Sequence, residues 1–118
     1  MNSRSADYQR ADRVGDMLVK VIAELLVKEI ADPRLQSVTI TAAQVTKDLR
    51  QARVFFNLLG APAHHDEALA GLRSATGFIR SRLSKQMNLR YVPALEFVYD
   101  ESEDEAQRIE RLLSQIKS

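Results

Sequence analysis

The sequence predicts an α+β domain in which a three-stranded mixed sheet carries its helices on one face, with elements in the order α-β-β-α-α-β-α. Three observations carry that reading. Apolar residues recur at three- and four-residue spacing from Val14 to Ile30, from about Asp66 to Met87, and from Ile109 to Ile116. Between these stretches they alternate in the β manner over Val38–Ala42, Ala52–Leu59 and Leu95–Tyr99. Pro33, Gly60-Ala61-Pro62-Ala63 and Pro93 punctuate the changes of period. With 118 residues, 45% hydrophobic and 28% charged, the chain suits one domain with one core.

The first helix is marked by Val14, Met17, Leu18, Val21, Ile22, Leu25, Leu26 and Ile30, which form a single apolar stripe. Pro33 ends it, because the residue before a proline is pushed out of helical space. Residues 1–9 carry no stripe and read as a flexible lead-in, which places the folded domain at residues 10–116. In the first strand Val38 and Ile40 face one side. Val45 falls out of phase with Ile40, so a bulge near Ala42–Ala43 or a change of facing is expected. Thr46-Lys47-Asp48-Leu49-Arg50 joins this strand to a second, where Val54, Phe56 and Leu58 share one face. Arg53, Phe55 and Asn57 share the other.

Leu69, Leu72, Ile79, Leu83 and Met87 fit one buried helical side, interrupted at Ala75-Thr76-Gly77. A glycine inside a helix costs about 1 kcal/mol against alanine, so two helices joined by a tight kink are expected here. Ser102-Glu103-Asp104-Glu105 has the pattern of a capping box opening a last helix, whose stripe is Ile109, Leu112, Leu113 and Ile116. A short hairpin makes the first two strands antiparallel. The long helical crossover allows the third to run parallel.

Several chemistries lose their footing in this sequence. There is no cysteine, which removes disulfides, thiol catalysis and sulfur-bound zinc and is compatible with a reducing cytoplasm. No apolar run approaches the roughly 18 residues of a membrane span, and the polar start lacks a signal-peptide core. His64 and His65 are adjacent and do not converge on a metal as an i, i+4 pair would. Asp100-Glu101-Ser102-Glu103-Asp104-Glu105 lacks the spacing and glycine of a calcium loop and suits the positive end of a helix. No nucleophile elbow or phosphate-cradling loop occurs. The expectation is a non-enzymatic, cytoplasmic protein without cofactor, metal or small-molecule substrate.

Charge is informative in its distribution. The net charge is only +1, yet Lys47 to Arg90 holds eight basic residues (Lys47, Arg50, Arg53, Arg73, Arg80, Arg82, Lys85 and Arg90) against three acids. From Glu96 to Glu110 there are seven acids and one base. Such an asymmetry suggests a basic surface for phosphates and an acidic end in solvent. Around Gly77, the expected kink would expose backbone N–H groups flanked by Arg73, Arg80 and Arg82, an arrangement that favours anions. Spacing alone leaves a second reading equally open, in which Gly77 permits close helix packing and the arginines are only solvated.

Five segments together resemble a known family. They are Arg13-Val14, Ile30-Ala31-Asp32-Pro33-Arg34-Leu35, and Val45-Thr46-Lys47-Asp48-Leu49-Arg50-Gln51-Ala52-Arg53-Val54. Leu72-Arg73-Ser74-Ala75-Thr76-Gly77-Phe78-Ile79-Arg80 and Arg90-Tyr91-Val92-Pro93-Ala94-Leu95-Glu96-Phe97 complete the set. In this order they resemble the bacterial ribosome-binding factor A family, with a type II KH-like fold, over about Arg10 to Leu113. The resemblance implies a KH-like RNA-binding domain, a monomer, that binds the free small (30S) ribosomal subunit through 16S rRNA. It also implies a role in late subunit maturation, rRNA processing and growth at low temperature. Ala75-Thr76-Gly77 matches the family's A-x-G kink, and Ser74 stands where ordinary KH domains have the first glycine of their G-x-x-G clamp. The RNA-binding residues expected on this basis are Lys47, Arg50, Arg53, Arg73, Ser74, Ala75, Thr76, Gly77, Arg80, Arg82, Lys85 and Arg90. Tyr91 is a candidate for stacking, with a packed loop residue as the other reading, whereas Phe56, Phe78 and Phe97 read as core. A free-standing KH-like module for single-stranded RNA and a protein-interaction domain are the other readings.

Overall fold

A computed structural model describes residues 3–58, 60 and 64–117, without the side chains of residues 3–8, 103 and 117. The elements are α1 (Ser3–Lys28), a single 3-10 turn (Pro33–Leu35), β1 (Val38–Val45), β2 (Gln51–Leu58), α2 (His65–Gln86), β3 (Ala94–Tyr99) and α3 (Ser102–Lys117). The strands form one sheet in the order β1-β2-β3, with β1 and β2 antiparallel and β2 and β3 parallel. The mixed sheet expected from the connections is therefore present. Leu59 and residues 61–63, expected at the end of the second strand and in its closing turn, lie outside the described residues.

Alternation within the strands positions the core. Ile40, Ala52, Val54, Phe56, Leu58 and Phe97 are buried on the face that α1 and α2 cover. Leu18, Ile22, Leu72, Ile79 and Leu83 reach them from the helices and are fully buried. Full burial of such side chains stabilises a fold by about 1.5–3 kcal/mol each, so this layer decides the architecture. The register between β1 and β2 shifts between Ile40 and Ala42. That bulge restores the phase of Ala43 and Val45 towards the helices, as the misphased Val45 required. In the hairpin, Leu49 adopts a left-handed φ of 62°. Its side chain packs against the core, which offsets a conformation that L-residues adopt at some cost.

Four expectations need correction. First, α2 is one continuous helix from His65 to Gln86, without a boundary at Ala75–Gly77. A Cβ at Gly77 would point into open space, and the Thr76 hydroxyl donates to the Leu72 carbonyl at 2.9 Å. The glycine's cost of about 1 kcal/mol is outweighed by the uninterrupted burial of Leu72, Ile79 and Leu83. Second, α1 starts at Ser3 and not near residue 10, since nothing in Ser3–Gln9 breaks a helix already nucleated by packing. Third, Ser102 does not reach forward to close a capping box; its hydroxyl and N–H both donate back to the Asp100 carboxylate. Fourth, the α3 stripe is not buried: Ile109 is 49% exposed and Ile116 79%.

Candidate nucleic-acid interface

The buried side of α2 dictates what its other side offers. With Ala68, Leu72, Ile79 and Leu83 facing the sheet, helical spacing turns Arg73, Gly77 and Arg80 outward, and Ser74 and Lys85 are exposed beside them. Arg73 and Lys85 make no hydrogen bond or ion pair among the described residues. Arg80 is exposed, but its Nη2 donates to the Val92 carbonyl at 3.0 Å, so it also pins the loop before β3. Arg82 is half-buried, 3.4 Å from the Glu29 carboxylate, and lies over the Phe78 ring. Phe78, expected in the core, is 41% exposed because it sits on the solvent side of the continuous helix.

Ala75 and Thr76 are half-buried, and the Thr76 hydroxyl is committed to its own helix. No helix N-terminus forms after Gly77, so the backbone donors expected there are engaged in the helix. Within the A-x-G segment only Gly77 is open, with nothing within 4 Å of where its Cβ would stand. The hairpin cations Lys47 and Arg50 are exposed in the turn between β1 and β2. Asp48 shapes that turn by accepting from the Thr46 hydroxyl and the Arg50 N–H, and these bonds hold its carboxyl below the usual value. Arg53 lies on the uncovered face of the sheet, 3.7 Å from Glu96. Arg90 stacks over Tyr91, which is 62% exposed.

Two backbone contacts gather these pieces. The Ala94 N–H donates to the Arg50 carbonyl at 2.8 Å, joining the hairpin to the start of β3. Arg80 ties α2 to the same loop through Val92. Lys47, Arg50, Arg80 and Arg90 therefore share one end of the molecule, with Arg73 about 10 Å from Arg80 along the helix at 1.5 Å per residue. Arg10 and Arg13 are exposed on α1 near this end, since Gly15 packs against the Ala43 carbonyl. Neither is among the RNA-binding residues expected from the sequence, where Asp12 and Asp16 lie beside them.

The acids collect at the opposite end, where β3 exits beside Phe56. His65 stacks on Tyr99, bringing the Asp66-Glu67 start of α2 close to Asp100, Glu101 and Asp104. Burial, with the Asp104 carboxylate that accepts from its hydroxyl, pushes Tyr99 up to about 12. Asp100 is held below the usual carboxylate value by hydrogen bonds from Ser102 and from Thr41. The charge asymmetry of the sequence thus becomes an end-to-end polarity in space. The hairpin end offers phosphates more cations than the far end, where Arg108 and Arg111 stand among the carboxylates. Among the described residues no group of three or more His, Asp or Glu is placed to hold a metal ion, and no helix is long and apolar enough to cross a membrane.

Comparison with known proteins fits this geometry. The family model described as ribosome-binding factor A matches residues 10–113. A ribosome-binding factor A from Syntrophobacter fumaroxidans is 47% identical over 112 residues, covering 93% of this chain and 96% of that protein. The crystal structure of ribosome-binding factor A from Thermus thermophilus superposes with a TM-score of 0.66 at 25% identity, covering 75% of this chain and 93% of that one. A homology model of the Thermus thermophilus factor, fitted into a cryo-EM map of its complex with the 30S subunit, shares the fold with a TM-score of 0.59 at 24% identity, covering 74% and 91%.

Proposed function

The chain belongs to the ribosome-binding factor A family, and from that premise we propose that it binds the free small (30S) ribosomal subunit through 16S rRNA. It acts as a single copy in the cytoplasm, assisting late subunit maturation and 16S rRNA processing, including growth at low temperature. It does so by binding and holding rRNA, without bond-making chemistry of its own. The observation that carries this reading is the basic end, where Arg73, Lys85, Arg90, Lys47 and Arg50 are exposed around α2 and the hairpin. Phosphate neutralisation supplies most nucleic-acid affinity, and these side chains provide it. Arg80 and Arg82 serve partly as struts, through Val92 and Glu29. The ordinary single-strand clamp is disfavoured because α2 runs unbroken through Ser74–Gly77.

The test uses residues without structural bonds. Arg73→Ala with Lys85→Ala should weaken cosedimentation with free small subunits and reduce its salt dependence by roughly one counterion per lost phosphate contact. Stability should stay within about 0.5 kcal/mol, as for exposed side chains generally. Undiminished subunit binding across the salt series would remove this surface from the interface. No cosedimentation even of the unaltered protein would favour a module that binds RNA off the ribosome.

A further inference from the structure

The helices leave most of one face of the sheet uncovered, closed over only at the buried Asn57, whose amide donates to the Asp100 carbonyl, and its side chains fall into rows across the strands. The register sets Gln44, Arg53 and Glu96 in one row and Ala42, Phe55 and Val98 in the next. Phe55 is partly exposed on the central strand of this open face, whereas Phe56 and Phe97 on the other face are buried in the core. Towards the hairpin the surface sinks into a hollow of about 490 Å³, lined among others by Gln44, Thr46, Gln51, Arg53 and Glu96. That volume lies within the range of small-ligand sites, roughly 300–1,000 Å³. Lys47 and Arg50 stand exposed in the adjoining turn.

A nucleotide needs three things from a protein surface: a flat apolar partner for the base, amides for its edge and cations for its phosphate. Open sheets with an aromatic ring on a central strand supply the first, and stacking tolerates any base because every base has a π-face. Gln44 and Gln51 each bring a donor and an acceptor on one flexible amide. The acid in the hollow, Glu96, already faces Arg53, which lessens its repulsion of phosphate.

We infer that the uncovered sheet face binds a short unpaired stretch of RNA, with one base stacked on Phe55 and met at its edge by Gln44. The next nucleotide sits in the hollow beside Thr46 and Gln51, its phosphate against Arg50 and Lys47. The inference rests on the rRNA-binding reading and adds to it a second surface with a ligand of defined chemistry.

The chain has no tryptophan, so Phe55→Trp introduces a single indole at the stacking position. In the full chain its emission should be quenched by an unstructured oligouridylate and not by an abasic ribose-phosphate chain of equal charge. Phe55→Leu should weaken oligouridylate binding about fivefold or more, the effect expected of one lost stack. Gln44→Ala with Gln51→Ala, both exposed and remote from the core, should weaken it as well. An unresponsive indole, no measurable oligouridylate affinity, or an unchanged affinity in the double glutamine variant would each overturn the inference. Failure here, combined with loss of subunit binding in the Arg73 and Lys85 variant, would remove the stacking site and leave the rRNA reading standing.

Discussion

Gly71 and Gly77 lie on the same helix and have opposite structural roles. A Cβ on Gly71 would come within 2.9 Å of Leu35 Cδ2, and Leu35 is buried in the core with little room to give. A Cβ on Gly77 would meet nothing. Gly71→Ala should therefore cost about 1–3 kcal/mol as an overpacking change, while Gly77→Ala should stabilise by roughly 0.5–1 kcal/mol through helix propensity. Denaturant titration of the two variants checks both signs. Sequence alone drew the eye to Gly77, because it interrupts an apolar pattern, and passed over Gly71, because the residue it must admit is remote along the chain. The excess of basic side chains between Lys47 and Arg90 was legible in the sequence. That Arg80 and Arg82 are tied to Val92 and Glu29 was not, since those partners are set by tertiary contacts.

At the scale of elements, periodicity located every strand and both ends of the crossover, and misphasing located the bulge. It could not say whether an apolar stripe finds a partner. α2 is kept continuous by the sheet it packs on, which no local rule expresses. α3 has a well-formed stripe that nevertheless remains half or more exposed. Two acids fasten α3 to the body at its start: Asp104 accepts from the Tyr99 hydroxyl, and Asp100 accepts from Ser102 at the helix start and from Thr41 at the β1 bulge, while the Asn57 amide donates to its carbonyl. Asp100→Ala should loosen the first turn of α3 and leave the sheet intact, read as a loss of amide-exchange protection confined to residues after 100. The same fastening depends on acid. The folded-state carboxyl titrates below the unfolded value of 3.8, so its contribution is present above that value and lost as pH falls through the lower folded one. Protection of the first turn of α3 should decline in that acid window before the sheet does.

At the scale of the whole molecule, the two charged ends make the protein a dipole, and on the proposed rRNA-binding reading its hairpin end leads the approach. Association with free small subunits should therefore be fast at low salt and slow steeply as salt rises, with dissociation changing less. Rapid-mixing measurements of both rates across a salt series check it. The polarity was foreshadowed by the basic and acidic halves of the sequence, but only the parallel pairing of β3 with β2 carries the acids to the far end. That pairing also orders events during folding. β1 and β2 close through a tight turn, at small entropic cost, whereas β3 cannot dock until the chain through α2 has been gathered in. A chain emerging from its N-terminus can thus complete α1 and the hairpin early, with β2 left as an open edge. The central strand waits, half paired, for the last strand made.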